Sequence, residues 1–229
     1  MSLLQSIGVQ NCSVAGDTRF DRVAGIKEKG EAVESIGSFV SGAKVIVAGS
    51  TWPEDEQLLA DLGKTLPQGY RMIIAPHEIT PVHIRQLQAL FPDGLLHSNL
   101  ATGASRSVLI IDNVGMLSRL YQYAQLTYIG GGFNKSGIHN TLEAAVWGKP
   151  VIVGPNYQKF KEARELIEVG GAFTISSPEA LIKTAGHLVE DEAALQKAGA
   201  AAGSYVQENR GATASILHYI AANRLLTTP

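Results

Sequence analysis

The chain has 229 residues, 45% of them hydrophobic and 17% charged, a balance that excludes disorder as the main state and is long enough to bury a real core in one large domain or two small ones. Nineteen Lys and Arg against twenty-one Asp and Glu leave a formal net charge of −2; with no overall positive field to hold a polyanion by counterion release, nucleic acid is not an expected partner. A single cysteine, Cys12, can form neither an internal disulfide nor a cysteine-based zinc site, which fits a reducing compartment.

Residues 1–42 read as a lead-in segment to the same domain that residues 43–229 build. Met1 to Leu4 carry no Lys or Arg leading into an apolar stretch, so no secretory signal is expected. Residues 12–15 look like a strand, and Asp17-Thr18-Arg19-Phe20-Asp21 opens a helical stretch. From residue 43 onward, short β-branched runs alternate with longer segments of helical period, the signature of βαβ units on a parallel sheet. Strands are expected at 44–48, 71–75, 108–111, 126–129, 150–153 and 172–175, with a shorter one near 95–97. Between the first two, Leu58, Leu59, Leu62 and Leu66 form one apolar stripe of a helix. Further stripes run through Leu181, Ile182, Ala185 and Leu188, and through Leu195, Ala198, Ala202 and Tyr205. Thr51-Trp52-Pro53-Glu54, Thr80-Pro81 and Ser177-Pro178-Glu179 read as helix starts. The longest apolar runs, 45–52, 142–154 and 211–222, all fall short of the ~20 residues that cross a bilayer.

An open parallel sheet binds ligands beyond the carboxyl ends of its strands, so the loops there are where function is sought. They read Gly49-Ser50-Thr51, Pro76-His77-Glu78, Asp112-Asn113-Val114-Gly115-Met116-Leu117 and Gly130-Gly131-Gly132-Phe133-Asn134. The first does not match the Gly-x-Gly-x-x-Gly of dinucleotide-binding units, and Gly63-Lys64-Thr65 lies at a helix end instead of opening one, so neither a dehydrogenase nor a P-loop is expected. No Gly-x-Ser-x-Gly pentad marks a serine hydrolase. The six histidines show no spacing that places two rings on one metal, and no metal is expected. What remains is the stretch from Gly130 to Glu143, with four glycines in its first eight residues. Such a loop leaves the backbone open, and a helix starting after it offers N–H groups and a positive dipole end to a phosphate. Asn140 and Glu143 share one face of that helix start, where a carboxylate can accept from ribose hydroxyls; the same spacing also describes a capping box. Tyr121, Tyr123 and Tyr128 are expected to pack, and Glu162, Glu165 and Glu168 to form a solvated helix face.

Taken together, the motifs resemble the C-terminal domain of the bacterial 3-deoxy-D-manno-octulosonic acid (Kdo) transferases, GT-B glycosyltransferases that add Kdo from CMP-Kdo to lipid A precursor in lipopolysaccharide synthesis. The residues that carry the resemblance are Ala15-Gly16-Asp17-Thr18-Arg19-Phe20-Asp21, similar to the family's Gly-Asn-Leu-Lys-Phe-Asp; Ala48-Gly49-Ser50-Thr51; Pro76-His77; residues 112–117; Gly130 to Glu143; and Gly154-Pro155-Asn156 with Phe160. They run in consistent order over residues 5–220. The resemblance implies a three-layer α/β fold, a Rossmann-like parallel sheet with helices on both faces, as the C-terminal half of a GT-B enzyme. It assigns CMP contacts to Pro76 and His77, to Gly115, Met116 and Leu117, and to Asn140, Thr141, Leu142 and Glu143. No cofactor beyond the donor substrate CMP-Kdo is implied.

Two departures stand out. The family usually shows Pro-Arg-His-x-Glu-Arg where this chain has Ala75-Pro76-His77-Glu78-Ile79, so both arginines are missing and phosphate charge must be met elsewhere, with Lys135 or the helix end as candidates. The family also has Gly-Glu-Leu where Gly115-Met116-Leu117 stands. By resemblance, the acceptor site and the general base belong to an N-terminal domain preceded by a membrane anchor, at the cytoplasmic side of the bacterial inner membrane, and the lipid A precursor is met through that domain. This sequence is then the donor-binding half, itself not membrane-spanning and inactive alone. The alternatives are a UDP-sugar GT-B glycosyltransferase or epimerase domain, and a non-catalytic nucleotide-binding module.

Overall fold

The computed structural model describes residues 2–102 and 106–226. In chain order the elements are α1 (Ser2–Ser6), α2 (Thr18–Lys29), α3 (Gly37–Val40), β1 (Lys44–Thr51), α4 (Pro53–Gly63), β2 (Tyr70–Pro76), α5 (Pro81–Leu90), β3 (Leu95–Leu96), β4 (Val108–Ile110), α6 (Leu117–Leu120), β5 (Leu126–Ile129), α7 (Leu142–Ala145), β6 (Val151–Val153), α8 (Lys161–Glu168), β7 (Ala172–Thr174), α9 (Pro178–Glu190), α10 (Glu192–Glu208) and α11 (Ala212–Ala222).

The seven strands form one sheet in the order β3-β4-β2-β1-β5-β6-β7, every adjacent pair parallel. Each strand expected from the β-branched runs is present. A parallel sheet needs both faces covered, and the alternation along β1 delivers this: Val45 and Val47 enter one apolar cluster, Ile46 and Ala48 the other. The first cluster takes side chains from α2, α8 and α10, the second from α4, α5 and α9. Phe20, Val23, Ala24, Val33, Ile36 and Phe39 join Val45 and Val47 in one cluster, so the residues before β1 contribute to the core beneath the sheet.

Four local expectations are corrected. Residues 12–15 form no strand: Val14 is 79% exposed, and an exposed run with no ladder partner has nothing to hold it extended. Leu66 lies beyond the end of α4, where Pro67 follows, although it still packs on the α4 side of the sheet. Glu162 is buried instead of solvated, because Arg19 reaches it with Nη1 at 2.7 Å and Nη2 at 3.2 Å. Glu165 on the same helix accepts the Tyr205 hydroxyl at 2.7 Å. Among the described residues no helix is long and apolar enough to cross a membrane.

Chain order runs from β1 outward to β2 and β4 on one side and to β5, β6 and β7 on the other. The switch point is therefore the crevice between the carboxyl ends of β1 and β5, the place where such sheets bind ligands.

Candidate functional site

β1 ends in an irregularity between Gly49 and Thr51, with Ser50 in the left-handed region at φ 53°, a conformation uncommon for a residue with a Cβ. A bulge at a strand end re-aims the chain that follows; here it turns Trp52 toward the crevice. The neighbouring strand makes room: a Cβ on Gly130 would stand 2.3 Å from the Ser50 carbonyl oxygen and 2.6 Å from the Thr51 Cα.

Two buried carboxylates then lock the first turn of α4. Asp55 accepts the Tyr128 hydroxyl at 2.7 Å, the Gly131 N–H at 2.8 Å and the Trp52 N–H at 3.0 Å. Burial pushes its carboxyl upward, and the three donors oppose that rise. The helix start expected at Thr51 with Glu54 is thus displaced by one residue, with Trp52 at the cap and Asp55 as the acceptor. Thr51 has a different role: its hydroxyl donates to Glu56 at 2.9 Å. The other Glu56 oxygen meets His83 Nε2 at 2.8 Å, and His83 Nδ1 lies 2.8 Å from the Glu78 carbonyl. A carbonyl only accepts, so Nδ1 carries a proton, and one further proton is shared between Nε2 and Glu56. Burial raises the Glu56 carboxyl. Through this chain of contacts α4 and α5 hold the turn that contains His77, whose own N–H donates to the Thr51 carbonyl at 2.9 Å.

At the crevice, Trp52, His77 and His139 stack. Ring centroids are 4.8 Å apart for Trp52 and His77 and 4.3 Å for His77 and His139, each pair inclined by 28°. The Trp52 indole N–H donates to His139 Nε2 at 3.0 Å. An indole nitrogen cannot accept, so Nε2 holds a lone pair and the His139 ring is neutral while this bond stands. Burial, then the neighbouring His77, lowers the His139 pKa from 6.5. His77 presents an exposed ring, with Pro76 buried behind it. Trp52 and His139 were not singled out from the sequence; only their positions at strand and loop ends on the ligand side pointed to them.

The second group lies at α7. Asn140 Oδ1 accepts the Leu142 N–H at 3.1 Å, and its Nδ2 donates to Glu143 Oε1 at 3.1 Å. Arg22 Nη2 donates to the same oxygen at 3.1 Å. Among the described residues Glu143 Oε2 receives no hydrogen bond, and the carboxylate does not return to the Asn140 backbone, so the reciprocal capping box is not made. Among the described residues the buried Thr141 hydroxyl has no hydrogen-bond partner. Leu142 and Met116 are core residues, which leaves only their backbones to meet a ligand. Gly115 is exposed with φ 95°, which suits glycine, and Leu117 opens α6 close beside Gly49.

The glycine-rich loop differs from the expected phosphate cradle. Gly130 N–H donates to Gly49, and Gly131 N–H to Asp55. A Cβ on Gly132 would stand 2.5 Å from the Gly154 Cα, and one on Gly137 2.6 Å from the Asn156 carbonyl oxygen. These glycines allow backbones to touch. α7 has four residues, too few for much of a dipole, and its Leu142 N–H is already taken by Asn140. The end of α7 is therefore a weak source of positive charge for an anion.

No protein-family model matches the chain. A 3-deoxy-D-manno-octulosonic acid transferase of Aquifex aeolicus is 28% identical over 171 residues, covering 73% of this chain and 45% of the relative; the chain thus spans about half the length of that curated relative. Among solved structures, the C-terminal CMP-Kdo binding domain of WaaA from Acinetobacter baumannii superposes with a TM-score of 0.65 at 20% identity, over 82% of this chain and 97% of that one. A Staphylococcus aureus MnaA structure with UDP gives 0.66 at 17% identity, over 100% of this chain and 59% of that one. The chain is related in sequence to curated Kdo transferases and shares the α/β fold of GT-B glycosyltransferases and epimerases.

Proposed function

We propose that this chain is the donor-binding domain of a glycosyltransferase that takes Kdo from CMP-Kdo to a lipid A precursor. The observation that carries the reading is Glu143: a carboxylate held by Asn140 and Arg22, with one oxygen left open at the ligand edge of the sheet, in a chain related to curated Kdo transferases. An open carboxylate oxygen suits the vicinal hydroxyls of a ribose, and the exposed His77 ring offers a face on which a planar base can lie. In this reading Pro76, His77, Gly115, Leu117 and Asn140 surround the cytidine, with Met116, Thr141 and Leu142 contributing backbone or support.

The reaction breaks the bond between the anomeric carbon of Kdo and the phosphate oxygen while an acceptor hydroxyl attacks that carbon. Its proton goes to a base in the partner half of the enzyme, and CMP leaves with the bonding electrons. Negative charge grows on the phosphate, so groups that bind it more strongly as it leaves lower the barrier. The acceptor and the base are proposed to lie in an N-terminal half at the cytoplasmic face of the inner membrane.

The test is thermal unfolding with CMP, UMP and AMP in concentration series. A ligand that binds only the folded chain stabilises it by RT ln(1 + [L]/Kd), about 2.7 kcal/mol at a hundredfold excess over Kd. The reading expects CMP to raise the midpoint most and Glu143→Gln to remove the shift. A larger shift with UMP would move the assignment to a UDP-sugar enzyme, the class represented by the MnaA neighbour with UDP.

A further inference from the structure

α7 is short and its Leu142 N–H is already bonded to Asn140, so a phosphate carried by a ribose at Glu143 calls for a cation from another element. We propose that Arg22 of α2 is the phosphate-binding cation of this domain, a proposal that rests on the donor-site reading above.

Several cations near the crevice are already engaged: Arg119 of α6 donates to Glu31 at 3.2 Å and Lys159 lies over the Phe160 ring. Arg19, one turn before Arg22, is held by two carboxylates: its Nε donates to Asp17 at 2.9 Å and its Nη1 and Nη2 to Glu162. Lys27 donates to the Val146 carbonyl at 2.8 Å. Lys135 sits in the part of the glycine-rich loop that is pinned toward Asn156, on the β6 side. Arg22 differs from all of these. Its side chain is 61% exposed, and a single guanidinium nitrogen touches Glu143. A guanidinium has five N–H donors in one plane, so most of Arg22's remain available.

Its place in the fold fits the role. α2 packs against both α6 and α7, the two helices whose first turns carry Leu117 and Glu143. An open cleft of about 580 Å³ lined by Thr18, Arg19, Asp21, Arg22 and Thr213 leaves the Arg22 side chain room to turn, while Glu143 does not line it. A ribose bound at Glu143 Oε2 carries its 5′-phosphate within a side chain's reach of that carboxylate. A bare carboxylate there would repel the phosphate; a guanidinium shared between the two anions removes the repulsion and supplies charge-assisted hydrogen bonds.

The experiment compares cytidine with CMP by calorimetry on the 229-residue chain and on Arg22→Gln, Arg22→Lys and Lys135→Gln. The native chain is expected to bind CMP at least tenfold more tightly than cytidine. Arg22→Gln is expected to weaken CMP about tenfold more than it weakens cytidine, the scale of one charge-assisted bond, with Arg22→Lys between the two and Lys135→Gln unchanged. Because Arg22 is exposed, the Arg22→Gln midpoint should stay within about 2 °C. An unchanged ratio of CMP to cytidine affinity in Arg22→Gln would overturn the proposal and leave the donor site standing. Equal losses for both ligands would also overturn it, since Arg22 would then only position Glu143. If neither ligand binds the native chain, the donor-site reading fails and takes this proposal with it.

Discussion

Replacing Asp55 tests how the segments around the crevice are tied together. Its side chain has no solvent exposure and gathers three donors from three segments: the backbone of Trp52, the hydroxyl of Tyr128 on β5 and the backbone of Gly131. Asp55→Ala leaves all three donors buried without an acceptor. Each such group costs about 1–3 kcal/mol, and partial relaxation brings the sum to about 3–6 kcal/mol, a large share of the ~5–15 kcal/mol that holds a typical domain. Asp55→Asn can place its carbonyl where Oδ2 stands and still accept from Trp52 and Gly131, losing only the acceptor facing Tyr128, so about 1–2 kcal/mol is expected. Urea unfolding at pH 7 measures both, the midpoint falling while the slope stays constant. The amide resonances of Trp52 and Gly131 should move strongly in the alanine variant and little in the asparagine variant. A cost below about 1 kcal/mol for Asp55→Ala would refute the view that this carboxylate ties the glycine-rich loop to α4.

Gly130→Ala forces a Cβ against the backbone of Ser50 and Thr51, neither of which can rotate away, so a loss of at least ~1–3 kcal/mol is expected in thermal or urea unfolding. Thr141→Val removes a buried hydroxyl that has no partner among the described residues at nearly constant volume; equal or higher stability is expected, and a clear loss would mean that the hydroxyl is satisfied after all. The lowered pKa of His139 sets a pH dependence with a definite sign. The unfolded chain takes up this proton near pH 6.5 while the folded ring, buried and accepting from Trp52, takes it up only at lower pH. Its contribution to stability is therefore full above pH 6.5 and declines as pH falls from there toward the folded value. Denaturation midpoints between pH 5 and 7 should show that decline and His139→Gln should flatten it; an unchanged slope in the variant would assign the effect elsewhere.

The strands were legible because runs such as Val45-Ile46-Val47-Ala48 have few other uses than a sheet buried on both faces. The helix starts at Thr80 and Ser177 were legible because a hydroxyl followed by proline has a local cause, and both make the expected cap bonds. What escaped the sequence lies in contacts between distant residues. Arg19 and Glu162 are 143 positions apart, so no local pattern separates their buried pair from a solvated face. The stack of Trp52, His77 and His139 assembles from three loops, and nothing in any one loop announces the other two. The glycines at 130–132 were visible, but their purpose was not: spacing cannot distinguish a backbone opened toward a phosphate from one opened toward another strand. Residues 12–15 had strand-like composition and no neighbour to pair with.

The most direct test of the account is an amide and indole chemical-shift map of the ¹⁵N-labelled chain during titration with CMP. The account predicts saturable shifts at His77, Gly115, Leu117, Asn140 and Glu143, a shift of the Trp52 indole N–H, and small changes across β6 and β7. Shifts centred away from the carboxyl ends of β1, β2 and β5, or no saturable shift with CMP beside a clear one with UMP, would contradict it.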